Sequence, residues 1–258
     1  MEILKFDNLS KFNTDIIHFV SQKDGFDKNK TESLNLSLFN AKKPEVVIAK
    51  RKKLAKKVGV SIEELVFAQQ IHGDNVFIAK KDDCGSGVFK KESAIRNTDA
   101  FISKEKKVCI VILVADCVPI LLFDKEKKVI AAVHAGWKGT LQEIVAKTIK
   151  KMKKDFHCKS ENILAGMGPS IGSCHFEVKK DVFDKFRKAF GNYNEALMQG
   201  KKRMFIDLWE LNKQQLLQAG LLEEKIEIME KCTVCEDDKF FSARRGQKGR
   251  FVVGIVLK

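Results

Sequence analysis

The stretch VCIVILVADCVPILLFDKEKKVIAAVHA, residues 108–135, decides the fold. It contains three apolar runs, Val108–Ala115, Val118–Asp124 and Val129–Ala135. Each is nearly continuous in apolar character, the pattern of strands covered on both faces rather than of an amphipathic surface strand. None approaches the roughly 20 residues that a membrane-spanning helix needs. Lys125-Glu-Lys-Lys128 is a polar break between the second and third runs and predicts a hairpin turn. Asp116, Cys117 and His134 all fall at or near strand ends, where side chains of this kind can face a common site.

Working outward, further strand-like segments recur at Ile16–Val20, Val66–Gln70, Asn75–Ala79, Ala100–Ser103, Ile163–Met167, Ile226–Met229 and Arg250–Leu257. Helical spacing of apolar residues marks Pro44–Val58, Lys179–Phe190 and Leu208–Ala219, the last ended by Gly220. Thr140-Leu-Gln-Glu143 reads as a capping box that starts a helix running to about Lys153. Prolines 44, 119 and 169 are spread out, and no repeat, linker or low-complexity stretch divides the chain. The expectation is an α+β (mixed α/β) fold in one compact domain over residues 1–258. Its core is a mixed, largely antiparallel β-sheet flanked by helices.

Of the 258 residues, 48 are Lys or Arg and 34 are Asp or Glu, a formal charge of +14. Only seven of those cations are arginine. Specific phosphate and base recognition favours the arginine fork, so the excess reads mainly as a lysine-solvated surface that can steer small anions. Nucleic acid is not the expected partner, because no recognition motif accompanies the charge. The start of the chain has no hydrophobic signal region. The seven cysteines are therefore expected to stay reduced, in the cytoplasm. Five histidines without a His-x-His pair exclude a true multicopper oxidase, which needs many imidazoles.

Three short stretches concentrate the chemistry: Gln69-Gln-Ile-His-Gly-Asp74, Val114-Ala-Asp-Cys-Val-Pro119 and Ala132-Val-His-Ala-Gly-Trp-Lys-Gly139. His72, Cys117 and His134 would make a three-ligand zinc set with a fourth position left for water or substrate. The same atoms admit another reading. Cys117 could be a thiolate nucleophile, with His134 or His72 as base and Asp116 or Asp99 orienting it. Gly166-Met-Gly-Pro-Ser-Ile-Gly172 offers backbone N–H groups but does not fit the dinucleotide fingerprint, since residue 171 is isoleucine. Phe241-Ser-Ala-Arg-Arg-Gly246, with Gly249-Arg250, suits an anion. Cys232-Thr-Val-Cys235 is a lone Cys-x-x-Cys assigned a structural role, and Cys84, Cys109, Cys158 and Cys174 carry no signal of their own.

Taken in order, Gln-x-His-Gly, Asp99–Ser103, Ala-Asp-Cys-x-Pro, His-Ala-Gly-Trp-x-Gly-Thr, Gly-Pro-Ser-Ile-Gly, Phe-Ser-x-Arg-Arg and Gly-Arg resemble the laccase-domain family. Its members are also called YfiH-like or polyphenol-oxidase-like purine nucleoside phosphorylases, and some are labelled peptidoglycan editing factors. The resemblance covers about Ser33 to Leu257. It implies zinc on His72, Cys117 and His134, with copper the second choice. It implies phosphorolysis of adenosine, inosine and methylthioadenosine, and hydrolytic deamination of adenosine. Arg51, Arg244 and Arg245 are then the candidates for phosphate. Ser33, Asn35 and Gln70 are further phosphate or nucleoside contacts, and Asp99 and Asp116 are candidates for moving a proton.

This chain departs from the family pattern in three places. Ser21-Gln-Lys-Asp-Gly25 lacks an arginine found in the family's corresponding turn, Lys50-Arg51 keeps only the arginine of Asn-Arg, and Ala243 replaces a tyrosine. The alternative to the nucleoside chemistry is a cysteine hydrolase using Cys117 on an amide or acyl bond, in peptidoglycan precursor editing.

Overall fold

A computed structural model of the chain describes residues 2–23, 34–191, 193–201 and 203–258. Residues 118–124 and 129–135 form the hairpin read from the sequence, β7 (Val118–Asp124) and β8 (Val129–Ala135), paired from Val118↔Ala135 to Asp124↔Val129. Every residue of both strands is buried. They lie at the centre of a six-stranded sheet whose order is β13-β9-β7-β8-β5-β4. Its other members are β4 (Val76–Ile78), β5 (Ala100–Ser103), β9 (Ile163–Met167) and β13 (Ile226–Ile228).

The first apolar run, Val108–Ala115, becomes β6 (Cys109–Val114), which leaves this sheet and joins a second one. That sheet has the order β1-β2-β14-β6-β3, with β1 (Ile3–Leu4), β2 (Ile16–Ser21), β3 (Leu65–Val66) and β14 (Phe251–Leu257). A small third sheet contains β10 (Glu177–Val178), β11 (Leu197–Gln199) and β12 (Met204–Ile206), none of which the sequence reading marked. Their length of two or three residues leaves too little alternation to detect. Eight of the eleven pairings among the described residues are antiparallel, so the sheets are mixed and largely antiparallel as expected.

The two large sheets face each other across one apolar layer. Leu121, Phe123, Ile130 and Ala132 from one side meet Ile110, Ile112, Val253 and Ile255 from the other. This double coverage explains the near-continuous apolar runs: one face of each strand meets the other sheet and one meets helices. Beyond the six-stranded sheet pack α4 (Ile144–Phe156), α5 (Lys180–Phe190) and α6 (Leu208–Gln218), through Val145, Ile149, Phe183, Phe186 and Leu211. Beyond the five-stranded sheet, α2 (Pro44–Val58) contributes Leu54 and Ala55. The remaining α-helices among the described residues are short, α1 (Asp7–Ser10) and α3 (Trp137–Leu141).

The capping box at Thr140 does not form. Thr140 lies inside α3, buried, and its hydroxyl accepts from the Asn212 amide at 3.0 Å. Glu143 takes a left-handed conformation (φ 58°), and α4 starts after it. The break lets α3 turn back across the end of β8 before α4 packs on the sheet. Among the described residues, no helix is long and apolar enough to cross a membrane.

Candidate active site

The site is built where β8, the β6–β7 turn and the loop before β4 converge. Cys117 sits just before β7, after Asp116, whose left-handed backbone (φ 81°) turns the chain sharply between two buried strands. His134 lies on β8 directly opposite Pro119. His72 occupies the loop after β3, also at positive φ (61°). Their ligand atoms lie within 4.8 Å of one another, and the two imidazole rings meet edge to face at 4.9 Å between centroids.

One buried carboxylate holds this arrangement. Asp99 Oδ1 accepts from His134 Nδ1 at 2.9 Å and from the His72 backbone N–H at 3.0 Å. Its Oδ2 accepts from the backbone of Ile71 at 3.1 Å and Gly73 at 2.8 Å. The loop carrying His72 is thereby wrapped around the same side chain that orients His134. Because Asp99 is an acceptor, Nδ1 of His134 carries its proton and Nε2 is left for the cluster, the usual arrangement behind a metal-ligating histidine. Burial alone would raise the Asp99 carboxyl, but its bond to His134 and the backbone N–H groups hold it below the ordinary range.

Cys117 is electrostatically matched to its neighbours. Burial pushes its thiol up, yet His134 and His72 outweigh this and bring it down to about 6. Burial likewise works against a charged His134, but Cys117 and Asp99 raise it to about 9. A thiolate is therefore available at neutral pH beside two imidazoles. Gly136 makes room for it: a Cβ there would stand 2.9 Å from Cys117 Sγ and 3.1 Å from His72 Cδ2. This is why the motif reads His-Ala-Gly rather than His-Ala-X. A soft thiolate with two imidazoles, one fixed from behind by a carboxylate, suits zinc with one position open.

The cluster lines a cavity of about 460 Å³, within the range of small-molecule sites. Phe39, Trp137 and Phe176 give it flat apolar walls; Ser37, Asn40, Arg244 and Arg250 give it polar ones. Arg244 is held by three bonds: its backbone N–H to Asp116 Oδ2 (2.7 Å), Nη1 to His175 O (2.8 Å) and Nη2 to Glu177 O (3.1 Å). Asp116 Oδ1 also accepts from Thr233, at 2.6 Å.

The other sequence candidates are distributed differently. Gln70 lines the cavity, with its amide paired to both backbone groups of Leu113 at 2.9 Å. Asn35 stands behind the wall, where its Oδ1 accepts from the backbone of Arg250 (3.0 Å) and Ser37 (3.1 Å). Arg245 points away from the cavity; its guanidinium donates to Val234 O and pairs with Asp237. Arg51 is fully buried, donating to the carbonyls of Leu36, Gly87 and Val88 and stacked 3.8 Å from the Phe67 ring centroid. With its N–H groups spent on those carbonyls, Arg51 is a packing residue and not a phosphate contact. Ser33 lies outside the described residues, as do Asp24 and Gly25 of the departing turn. In the Gly166–Gly172 stretch the amides of Gly168, Ser170 and Ile171 are already taken, donating to the carbonyls of Pro119, Lys231 and Asp116.

Sequence reasoning passed over Arg250 as a single site residue and missed Phe39, Asn40, Trp137 and Phe176. Trp137, inside the quoted His-Ala-Gly-Trp motif, carried the one legible signal.

Residues 16–258 match the family model described as "Multi-copper polyphenol oxidoreductase laccase". The chain belongs to this family. It is 33% identical over 260 residues to a purine nucleoside phosphorylase of Bacteroides thetaiotaomicron, spanning 99% of this chain and 96% of that protein. It is 32% identical to adenosine deaminase RL5 of an unknown prokaryotic organism, over 92% of this chain and 91% of that one. Among solved structures, the YfiH protein of Bacillus licheniformis superposes with a TM-score of 0.92 at 30% identity, covering 99% and 96% of the two chains. The family description speaks of copper; this chain has five histidines and no His-x-His pair.

Proposed function

We propose that this protein is a zinc-dependent purine nucleoside phosphorylase that also deaminates adenosine, working in the cytoplasm. The observation that carries the reading is one cavity shared by the His72, Cys117 and His134 cluster, two arginines and three aromatic rings. The names of the relatives, phosphorylase and deaminase, support the same pair of reactions.

Zinc held by His72, Cys117 and His134 supplies Lewis acidity at the cavity. The chain's own groups account for the rest. Phe39, Trp137 and Phe176 receive a flat purine ring. Ser37 and Asn40 offer hydrogen bonds to the sugar hydroxyls, and Arg244 and Arg250 bind phosphate. A phosphate oxygen attacks the anomeric carbon and the bond to the purine nitrogen breaks. The base leaves with the electron pair and gains a proton, giving ribose 1-phosphate and free purine. In deamination, water replaces the exocyclic amine, which departs as ammonia. Asp99 does not shuttle protons, since both its oxygens are committed to His134 and the His72 loop. Asp116 holds the turn that aims Arg244.

The deciding experiment measures products from adenosine, inosine and methylthioadenosine with and without phosphate, alongside the metal content. Phosphate-dependent release of free base is the expected result, and Cys117→Ala should lose both zinc and turnover. Full phosphorolysis by metal-free protein would overturn the mechanism.

A specific arrangement favours a second reading, the cysteine hydrolase. Cys117, His134 and Asp99 stand in the nucleophile, base and orienter order, with the thiol already lowered. His72 weighs against it, because such a triad needs no second imidazole at the sulfur. Iodoacetamide separates the two readings: a hydrolase is alkylated at Cys117 and inactivated without metal loss, whereas a zinc ligand is protected until the metal is removed.

A further inference from the structure

A second group of ligating side chains lies outside the cavity. Cys174 and His175 sit on the loop after β9, and Cys232 and Cys235 on the long loop between β13 and β14. The two pairs are 57 to 61 residues apart in sequence. Their ligand atoms nevertheless all lie within 4.8 Å of one another. Cys174 Sγ is 3.7 Å from Cys235 Sγ. His175 Nδ1 stands 3.2, 3.8 and 3.5 Å from the sulfurs of Cys174, Cys232 and Cys235.

These separations carry chemical information. Tetrahedral zinc, with Zn–S near 2.3 Å and Zn–N near 2.0–2.1 Å, sets its ligands about 3.7–3.8 Å apart for sulfur–sulfur and about 3.5 Å for sulfur–nitrogen. The observed 3.7 Å and the spread around 3.5 Å are those of a ligand shell. A disulfide would require about 2.05 Å. We propose that Cys174, His175, Cys232 and Cys235 bind a second zinc ion in a closed, four-ligand structural site.

The surroundings are built to fix the ligands. Gly172 N–H donates to Cys232 Sγ at 3.3 Å, which favours its thiolate form. Ser170 and the Lys231–Thr233 segment exchange two backbone bonds, Ser170 N–H to Lys231 O at 3.1 Å and Thr233 N–H to Ser170 O at 3.0 Å. The two loops are therefore already registered where the ligands project. A Cβ at Gly172 would sit 3.3 Å from Cys174 Sγ and 3.4 Å from Cys232 Cβ, so a side chain there would crowd the cluster. With four protein ligands no position remains for substrate, which marks the site as structural.

Its location explains what the zinc would stabilise. The 168–176 loop supplies Ile171 and Phe176 to the cavity wall, and the 231–245 loop supplies Arg244. Arg244 itself leans on His175 O. Clamping the two loops holds the arginine against the wall it lines. Binding energy at such a site is folding energy for the segments it joins.

Zinc analysis of protein purified under reducing conditions tests the proposal without reference to turnover. Wild type should carry two zinc ions per chain, and Cys117→Ala one. Cys235→Ser should also carry one, and the double variant none. As a check that needs no variant, alkylation of the wild type followed by mass mapping should leave Cys174, Cys232 and Cys235 protected until the metal is stripped. One zinc per wild-type chain with Cys235→Ser unchanged would overturn the proposal. So would a mass 2 Da below the reduced chain with Cys174 and Cys235 linked, or free alkylation of all three thiols before metal removal.

Discussion

At the scale of single residues, Asp99 and Arg51 show opposite relations between appearance and role. Asp99 is buried in a strand-like context, yet it fixes both histidines of the site. Asp99→Asn keeps the shape but loses the charge that orients and strengthens His134. Zinc affinity should fall about 10–100-fold, measured by chelator competition. Arg51 looks like an anion contact among lysines, yet its neighbours in space are carbonyls and Phe67. Arg51→Ala leaves three buried carbonyls without partners, at about 1–3 kcal/mol each. We expect a loss of about 3–5 kcal/mol in denaturant unfolding, with the phosphate KM of the remaining folded protein unchanged; a raised KM at full stability would return Arg51 to the site. The sequence did contain a hint. Within α2 the buried positions are Val47, Arg51, Leu54 and Ala55, the spacing of one helical face, so Arg51 stands on the apolar stripe.

At the scale of elements, the long buried strands and the amphipathic helices were readable because periodicity accumulates over many residues. Helix starts were read to within a residue at α2, α5 and α6, and missed at α4. The cap of α6 is Asp207, whose carboxylate accepts from the backbone N–H groups of Trp209 (2.9 Å) and Glu210 (3.0 Å). Asp207→Ala should cost about 1 kcal/mol, seen as a small drop in Tm. The capping box at Thr140 failed although its pattern was correct, because Asn212 on α6 takes the threonine hydroxyl and tertiary packing breaks the helix at Glu143. Local pattern specifies a cap only where nothing nearer competes for the same oxygen.

At the scale of the whole molecule, stability should depend on pH through a histidine that does not line the active-site cavity. His18, on β2, is 3% exposed and accepts from the Phe6 N–H through Nε2, at 3.0 Å. Burial, with Lys5 nearby, pushes it from 6.5 down to about 4. The unfolded chain therefore binds this proton below about 6.5, while the folded protein refuses it until about 4. The contribution is fully present above pH 6.5 and is lost as pH falls toward 4, by up to about 3 kcal/mol. In His18→Gln, whose amide oxygen can still accept from Phe6, the stability profile between those pH values should be flatter by that amount. Equal slopes in the two proteins would show that His18 protonates freely in the folded state. The +14 charge, by contrast, does little that is specific, since two arginines carry the cationic side of the cavity.

The sequence by itself determined the mixed sheet architecture, through apolar runs of seven or eight residues, and the family, through the order of its short motifs. It pointed to His72, Cys117 and His134 only by way of that family resemblance, since their spacing along the chain carries little signal. Only the tertiary structure decided which arginines face the cavity, and that Cys232 and Cys235 meet Cys174 and His175. The reason is distance along the chain. A contact between residues about 60 positions apart leaves no periodicity in either segment. Whether a guanidinium meets solvent, a carbonyl or a ligand is settled by what packs on its helix or loop, as the burial of Arg51 and the display of Arg244 and Arg250 show.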